Sequence, residues 1–204
     1  MNATEMVVLL DDAGTPIGEA AKAGVHTLDT PLHLAFSCYL LNDAGEVLLT
    51  RRSPEKKTWP GVWTNSFCGH PAPGEEFEDA VMRRAQFELG VDAKRIELAL
   101  PDFRYRAVDP TGIVENEVCP VFIARISGPL QPNPAEVADW AWISPALLED
   151  ALAHTPSAFS PWLGLQFPQL LDARALPLHD GAHDGAHDGA HSHSHSHSHD
   201  GAKA

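Results

Sequence analysis

Short apolar runs separated by turn-forming residues recur along the chain. Runs of this length, rich in β-branched and aromatic residues, are typical of β-strands. The predicted strands cover MVVLL (6–10), AFSCYLL (35–41), EVLLTRR (46–52), FRYRAV (103–108), IVENEVCPVFIARI (113–126) and WAWIS (140–144). NDAG joins the second run to the third and DPTG joins the fourth to the fifth. We therefore expect two hairpins with glycine-containing turns.

One amphipathic helix is predicted between the two hairpins, over residues 77–89. Its apolar side chains recur every four residues, at Phe77, Val81, Ala85 and Leu89. Gly90 follows directly, as is typical of the C-terminus of a helix. A second helix is expected near 145–153. Strands interrupted by one central helix predict an α+β fold with a mixed sheet.

The composition of the chain changes sharply at about residue 177. The segment HDGAHDGAHDGAHSHSHSHSHDGA carries almost no apolar side chain larger than alanine. Such a segment buries too little apolar surface to offset the entropy cost of ordering it. We therefore expect a single folded domain over 1–176 and a disordered tail over 177–204. The tail is rich in histidine and is a candidate for loose binding of Ni²⁺, Cu²⁺ or Zn²⁺.

The 204-residue chain is acidic, with a formal net charge of −14. An acidic protein is a poor partner for nucleic acid or an anionic membrane surface, so an anionic ligand needs a local cluster of cations. No apolar run approaches the length of about 20 residues that a membrane span requires, and the N-terminus does not resemble a signal peptide. Cys38, Cys68 and Cys119 are too few for a disulfide framework. These features predict a cytoplasmic protein.

The stretch WPGVWTNSFCGHPAPGEEFEDAVMRRAQFELGV (59–91) resembles the Nudix motif G-x5-E-x7-R-E-U-x-E-E-x-G-U, where U is a bulky aliphatic residue. The matching positions are Gly69, Glu75, Arg83, Glu88, Leu89, Gly90 and Val91. Arg84 and Phe87 replace two acidic residues of the motif, and Ala85 replaces the aliphatic one. Hydrolysis of a diphosphate needs several carboxylates to hold Mg²⁺ and activate water. The altered motif therefore suits binding a diphosphate better than cleaving it.

A second resemblance covers most of residues 5–165. The stretches that carry it are HTLDTPLHLAF (26–36), TRRSPEKKTWPGVWTNSFCGHP (50–71), RRAQFELGV (83–91), PDFRYRAVDPTGIVENEVCPVF (101–122) and AFSPW (158–162). Together they resemble the type I isopentenyl-diphosphate isomerase family. The resemblance implies a Nudix-like α/β/α sandwich. It also implies a small prenyl diphosphate substrate, with isopentenyl diphosphate converted to dimethylallyl diphosphate.

This reaction passes through a tertiary carbocation. It requires a strong local acid, a base for a different proton, an electron-rich wall for the cation and the exclusion of water. The resemblance implies that Cys68 and Glu117 act as acid and base on opposite faces of the substrate. It further implies that Trp162 is the aromatic wall and that Tyr105 is the hydrogen-bond partner of Glu117. By residue type alone, Cys68 could instead be a buried structural cysteine or form a Cys-x-His zinc site with His70.

Glu115 and Glu117 are two residues apart in a predicted strand, which places both carboxylates on one face. The two charges repel unless a cation lies there or one carboxyl is protonated. Without the resemblance, a solvated strand face would be the simpler interpretation. The resemblance implies that both bind a divalent metal ion together with His26, His33 and His70. Three imidazoles and two carboxylates suit Zn²⁺ or Mn²⁺.

The diphosphate head group is expected to bind a cluster of cations and one Mg²⁺ ion, which Glu88 would hold. The resemblance places four basic side chains around the head group: Lys22, Arg52, Lys56 and Arg83. Each of them, taken alone, could instead be a solvated surface residue. Arg51 and Lys57 are adjacent and are alternative contacts.

Two other functions are open from the sequence. A Nudix hydrolase acting on a nucleoside or prenyl diphosphate would release phosphate or pyrophosphate. A metal-binding protein without enzymatic activity would take up metal but show no affinity for a diphosphate.

Overall fold

The structure, a computed structural model, describes residues 5–126 and 128–177. The strands in these ranges are β1 (Met6–Leu10), β2 (Pro16–Ala21), β3 (His33–Leu34), β4 (Phe36–Leu41), β5 (Val47–Arg52), β6 (Trp63–Thr64), β7 (Phe67–Gly69), β8 (Lys94–Leu100), β9 (Arg104–Val108), β10 (Val114–Val118), β11 (Val121–Arg125) and β12 (Val137–Ile143). The helices are α1 (Lys22–Val25), α2 (Phe77–Leu89), α3 (Pro145–His154) and α4 (Pro161–Asp172), with a 3₁₀ turn at Pro156–Ala158.

The strands form two mixed sheets. The first sheet has the order β2-β1-β3-β10-β9. The second has the order β12-β5-β4-β11-β8, and the short strands β6 and β7 pair with β5 and β4. Most pairs are antiparallel, but β10 runs parallel to β3 and β11 runs parallel to β4.

Strand β4 is buried on both faces, because alternate side chains of a strand point to opposite sides of its sheet. Leu40 packs in one hydrophobic cluster with Leu89 of α2. Tyr39 packs in another with Leu148 of α3 and Phe167 of α4. The second sheet therefore lies between α2 on one face and α3 and α4 on the other. This arrangement confirms the predicted α+β fold and its α/β/α sandwich.

Both predicted hairpins and the central helix are confirmed, the second hairpin by the antiparallel pairing of β9 with β10. Strands β4 and β5 pair antiparallel, with Leu41 opposite Val47. Helix α2 has the predicted limits, and three members of its apolar stripe have no exposed surface. Gly90 ends the helix with φ 65° and ψ 28°, in the left-handed region that glycine adopts without steric cost.

The prediction of one continuous strand over 113–126 was wrong. The segment divides at Cys119 and Pro120, where the chain passes from the first sheet to the second. Proline lacks the N–H that a central strand would donate, so the pairing breaks at this position. The break creates a corner, and β10 carries Glu115 and Glu117 to the first sheet while β11 continues into the core of the second.

The predicted disordered tail, 177–204, lies outside the described residues apart from Pro177. Among the helices that are described, none has the length and apolar character needed to cross a membrane.

Candidate active site

Strand pairing brings Glu117 between two other predicted site residues. It lies opposite His33 on β3 and opposite Tyr105 on β9. The Tyr105 hydroxyl donates to Oε2 of Glu117 at 3.0 Å. Glu115, two positions earlier on β10, is also buried. The two carboxylates therefore do not form a solvated strand face.

Tyr105, Glu115 and Glu117 line a cavity of about 540 Å³. Cys68 from β7 and Trp162 from α4 line the same cavity. All four residues that we expected to be catalytic therefore lie around one space, with contributions from both sheets and a helix.

Three imidazoles converge on Glu117. The potential ligand atoms of His26, His33, His70 and Glu117 all lie within 4.8 Å of one another. Oε1 of Glu117 lies 3.2 Å from Nε2 of His70, 3.4 Å from Nε2 of His33 and 3.9 Å from Nε2 of His26. This convergence matches the predicted metal centre, four of whose five expected members form one compact cluster.

The orientation of His33 indicates that a cation fits between these groups. Its Nδ1 lies 2.9 Å from the carbonyl oxygen of Pro31, which can only accept, so Nδ1 carries the proton and Nε2 presents a lone pair. That lone pair faces Oε1 of Glu117 and lies 3.2 Å from Nε2 of His70. In addition, the buried Nε2 of His26 makes no hydrogen bond of regular geometry. Electron-rich atoms directed at one point suit a divalent ion such as Zn²⁺ or Mn²⁺.

Glu115, the fifth expected ligand, borders this cluster. Its Oε2 lies 2.9 Å from Nε2 of His26. Its Oε1 accepts a hydrogen bond of 2.6 Å from the hydroxyl of Thr58. Glu115 is therefore held from both sides, next to the histidines and on the cavity wall.

Burial and charge perturb the titration of the cluster in different directions. Burial lowers the pKa of His70 to about 4, against the opposing effect of Glu117. Burial also disfavours the charged form of His26, but the nearby carboxylates of Glu115 and Glu117 outweigh it and raise the pKa to about 9. For Glu117 burial is again opposed, here by the three neighbouring histidines, which hold its pKa well below the usual range. Glu117 is therefore an anion at neutral pH.

Cys68 is held by two polar side chains. Its Sγ lies 3.3 Å from Oγ of Ser37, the residue opposite it on β4, and 3.4 Å from Oδ1 of Asn65. Burial raises the pKa of the thiol to about 11, more than these hydrogen bonds lower it. At neutral pH the site therefore holds a protonated thiol and an ionised carboxylate, one group of each kind that a proton shift requires.

Asn65 connects the thiol to the aromatic wall. Its Nδ2 donates to the carbonyl oxygens of Cys38 and Phe67 at 3.0 and 2.8 Å, which directs Oδ1 toward the cavity. Oδ1 accepts from Nε1 of Trp162 at 2.9 Å as well as from Cys68. One fixed amide thus positions two residues of the expected reaction.

The indole of Trp162 already attracts a positive group. The guanidinium carbon of Arg52 lies 5.3 Å from the ring centroid, within the range of a cation–π interaction. Trp59 packs edge-on against the same ring, with centroids 5.6 Å apart. The ring is therefore held rigidly, and its π system is available to positive charge.

Basic side chains gather on another part of the cavity wall. They are Lys22, Arg52, Lys56, Lys57 and Arg84. Burial lowers the pKa of Lys56 to about 8, and although Glu88 opposes this effect, the neighbouring cations add to it. Burial followed by repulsion from Arg84 likewise lowers the pKa of Lys22. Cations that repel one another in a buried cluster are stabilised by a polyanionic ligand.

Arg83, which we expected to contact the head group, is not among the residues that line the cavity. Its guanidinium makes two hydrogen bonds of 2.7 Å to Glu75 and one of 3.1 Å to the carbonyl oxygen of His70. Its neighbour Arg84 is buried and lines the cavity instead. Arg83 thus holds the loop that carries His70.

Glu88 does not line the main cavity but a small one of about 20 Å³ beside it. Nε of Arg84 donates to Oε1 of Glu88 at 3.1 Å. Glu136 contributes a second carboxylate there, in contact with Lys56 and 3.5 Å from Arg84. Two acids and two basic residues, Arg52 and Lys56, therefore line this space. Glu88 was the only one of the two acids that the sequence had indicated.

The structure adds five residues that the sequence had not indicated as part of the site. They are Ser37, Thr58, Asn65, Arg84 and Glu136. A signal existed for Arg84, because it lies three residues after Val81 and one before Ala85, on the buried side of α2. For the other four, the contacts join distant parts of the chain and no local pattern marks them.

Replacing Gly69 with alanine is expected to disturb the packing around Arg84 and Phe36. A Cβ at this position would lie 2.7 Å from Cγ of Arg84 and 2.8 Å from the ring of Phe36. We expect thermal unfolding to show a melting temperature about 5 °C lower, because overpacking a core costs about 1–3 kcal/mol. Gly164→Ala is the matched control, since a Cβ there meets nothing within 4 Å. Equal melting temperatures for both variants would contradict this prediction.

A NUDIX domain model matches residues 31–163. An isopentenyl-diphosphate Delta-isomerase of Paenarthrobacter aurescens (strain TC1) is 88% identical over 182 residues, which cover 89% of this chain and 99% of that protein. A protein of the same name from Clavibacter michiganensis subsp. michiganensis is 59% identical over 172 residues, covering 84% of this chain and 89% of that protein.

Solved structures share the fold at low identity. A Deinococcus radiodurans protein has a TM-score of 0.62 at 20% identity, covering 81% of this chain and 98% of that one. A MutT protein from Methanosarcina mazei has a TM-score of 0.55 at 22% identity, covering 73% and 99%. These structures support the fold alone. The NUDIX match and the curated relatives show that this chain belongs to the isopentenyl-diphosphate Delta-isomerase family of NUDIX-domain proteins.

Proposed function

We propose that this chain interconverts isopentenyl diphosphate and dimethylallyl diphosphate by a 1,3-proton shift. One proton is added to the terminal alkene carbon, a tertiary cation forms at the adjacent carbon, and a second proton leaves the next carbon to form the new double bond. One observation carries this proposal: Cys68, Glu117 and Trp162 line the same cavity as five lysine and arginine side chains. The name of the 88% identical relative supports it.

One of the two residues Cys68 and Glu117 donates a proton to the substrate, and the other removes a different proton from it. Because the reaction is reversible, each group serves as acid in one direction and as base in the other. The Tyr105 hydroxyl, at 3.0 Å from Oε2, orients the Glu117 carboxylate. Asn65 and Ser37 orient the thiol.

The indole of Trp162 stabilises the cation between these groups. A desolvated cation over an indole face gains about 2 kcal/mol. Its hydrogen bond to Asn65 and its contact with Trp59 hold the ring in place. Glu115, Glu117 and Trp162 form a buried part of the wall, which limits access of water that would otherwise capture the cation as an alcohol.

Lys22, Arg52, Lys56 and Arg84 bind the diphosphate and so direct the alkene toward the acid and base. We assign the expected head-group contact to Arg84 rather than Arg83, since the guanidinium of Arg83 is held by Glu75. Glu88, with Glu136 beside it, would hold a Mg²⁺ ion that accompanies the diphosphate. Glu88 and Glu136 pair with Arg84 and Lys56 in this structure. When the diphosphate binds those two basic side chains, the two carboxylates would have the Mg²⁺ ion as their partner in place of them.

His26, His33, His70, Glu115 and Glu117 would hold a second divalent ion, Zn²⁺ or Mn²⁺. Such an ion would supply positive charge that fixes the carboxylates and tunes their proton affinity. The chain itself provides the orientation of these ligands, through the pairing of β3 with β10 and the hydrogen bond from Thr58.

Cleavage of the diphosphate is the rival reaction, and the geometry disfavours it. Arg84 and Phe87 occupy positions that are acidic in the Nudix motif. The guanidinium of Arg84 contacts Glu88, and Phe87 is about half exposed. Glu88 and Glu136 are too few carboxylates, too closely paired with cations, to assemble a hydrolytic metal cluster.

Purified protein supplied with Mg²⁺ and either Mn²⁺ or Zn²⁺ should convert isopentenyl diphosphate to dimethylallyl diphosphate, as followed by ¹H and ³¹P NMR. The two diphosphate resonances should be retained throughout. Release of phosphate or pyrophosphate in place of isomerisation would support a hydrolase instead, and metal uptake without either reaction would support the non-enzymatic alternative.

The neighbouring arginines of α2 are expected to respond differently to substitution by lysine. Arg84→Lys keeps the buried charge but loses the planar donor pair, so KM for isopentenyl diphosphate should rise about tenfold. Arg83→Lys should leave KM within about twofold, because that side chain contacts Glu75 and a loop carbonyl and not the cavity. Steady-state kinetics of both variants checks this, and a larger KM effect at Arg83 would reverse the assignment.

A further inference from the structure

Thr58 lies between the two charged parts of the cavity. It is buried in the loop that follows β5 and lines the cavity together with Arg52 and Glu115. Arg52 belongs to the basic cluster that would bind the head group. Glu115 belongs to the group that would hold the divalent metal ion.

The hydrogen bonds at Thr58 have a defined direction. Its hydroxyl donates to Oε1 of Glu115 at 2.6 Å, since an ionised carboxylate can only accept. The hydroxyl oxygen of Thr58, Oγ1, in turn accepts from Nη2 of Arg52 at 3.2 Å. The carbonyl oxygen of Thr58 also accepts from Nη2 and Nε of Arg52, at 2.8 and 3.1 Å. Arg52 thus fixes both the backbone and the hydroxyl of Thr58.

Contacts of Glu115 and Lys57 extend this series of hydrogen bonds from Thr58 to His26. Oε2 of Glu115 lies 2.9 Å from Nε2 of His26. Lys57, the residue before Thr58, donates to the carbonyl oxygen of His26 at 2.6 Å. Two consecutive residues of one loop therefore hold one metal-binding carboxylate and the backbone beside one metal-binding imidazole.

We infer that Thr58 is a positioning residue that links Arg52 to the metal centre through Glu115. The inference rests on the proposed function for the roles of the two sites. Removing the hydroxyl would leave Oε1 of Glu115 without its 2.6 Å donor and free the carboxylate to rotate away from His26. Residues that orient metal ligands in this way typically contribute a factor of about 10–100 to metal affinity. Because Arg52 holds Thr58, a change at Arg52 would weaken metal binding without touching any ligand.

The test measures the Zn²⁺ dissociation constant of metal-stripped full-length protein by competition with a chromogenic chelator. Thr58→Val replaces the hydroxyl with a methyl group of similar size, and we expect the dissociation constant to rise about tenfold or more. Thr58→Ser keeps the hydroxyl and should stay within about twofold of the parent protein. The histidine-rich tail is identical in all variants, so the differences report the buried site.

A double-mutant cycle with Arg52→Lys tests the link itself. We expect Arg52→Lys alone to raise the Zn²⁺ dissociation constant about threefold or more, and to have almost no further effect in the Thr58→Val background. Unchanged Zn²⁺ affinity in Thr58→Val, or equal effects of Arg52→Lys in both backgrounds, would overturn the inference. Thermal unfolding shows whether Thr58→Val is folded. If it is not folded, unchanged Zn²⁺ affinity in Arg52→Lys alone would overturn the inference.

This test does not depend on catalysis. If the variants lose Zn²⁺ affinity but the parent protein shows no isomerisation, the proposed function is refuted and the link between Arg52 and Glu115 stands. Isomerisation by the parent protein with unchanged Zn²⁺ affinity in the variants would refute the link and keep the function.

Discussion

Replacing Cys68 with alanine is expected to lower kcat for isopentenyl diphosphate by about 10²–10⁴-fold, the usual contribution of a positioned acid or base. The thiol lines the cavity and is oriented by Ser37 and Asn65. Its pKa, raised to about 11 by burial, keeps the proton on sulfur at neutral pH. Steady-state kinetics with metal in excess measures the effect.

Cys119→Ala is the matched control for this experiment. Cys119 is also a buried free cysteine, and its Sγ lies 3.4 Å from the same Ser37 hydroxyl. It is not among the residues that line the cavity. We expect kcat of the control to stay within a small factor of the parent value. Near-normal turnover in Cys68→Ala would remove the thiol from the chemistry and restore its interpretation as a structural cysteine.

Replacing Glu117 with glutamine should also lower kcat by about 10²–10⁴-fold, since an amide can neither take up nor release the transferred proton. The substitution keeps the size of the side chain, so the pairing of β10 with β3 and β9 should persist. Because Glu117 also borders the metal cluster, the measurement needs metal content determined alongside kcat.

Glu115→Gln separates the two roles of Glu117. Both carboxylates are buried on β10 and lie near His26, but the Tyr105 hydroxyl donates its hydrogen bond to Glu117. In variants loaded to equal metal content, Glu115→Gln should retain a much larger share of kcat than Glu117→Gln. Equal losses in both would mean that Glu117 acts only as a metal ligand.

The sequence predicted best those elements whose stability depends on local patterns. Helix α2 has one buried stripe and a glycine at its end, and both signals are contained in fourteen consecutive residues (77–90). Helix α4 was not predicted, although Ser160 caps its N-terminus and Pro161 stands at its first position. Its many apolar side chains and an internal proline, Pro168, obscure the helical period.

The corner at Pro120 shows a limit of reading strands by hydrophobicity. The run over 113–126 is continuous in β-forming residues, but it belongs to two sheets. The hydrogen bond from the Ser37 N–H to the carbonyl oxygen of Pro120, at 3.1 Å, links the corner to β4. This contact spans more than eighty residues of chain, so only the folded arrangement reveals where the strand divides.

The same distinction applies to the candidate site. The residues that bear its expected chemistry could be named from the sequence through a family resemblance, and the structure gathers most of them around one cavity. The side chains that orient them could not be named in this way. Asn65 reaches Trp162, and Thr58 reaches Glu115, across long stretches of sequence. The choice between Arg83 and Arg84 also depended on which face of α2 is buried.

The most direct test of the central claim is deuterium incorporation. Isopentenyl diphosphate is incubated with the metal-loaded protein in D₂O, and substrate and product are analysed by ²H and ¹H NMR. The proposed mechanism predicts deuterium in the methyl group formed from the terminal alkene carbon of dimethylallyl diphosphate, with the diphosphate intact. Recovery of undeuterated isopentenyl diphosphate, or of a product formed by breaking the diphosphate, would contradict it.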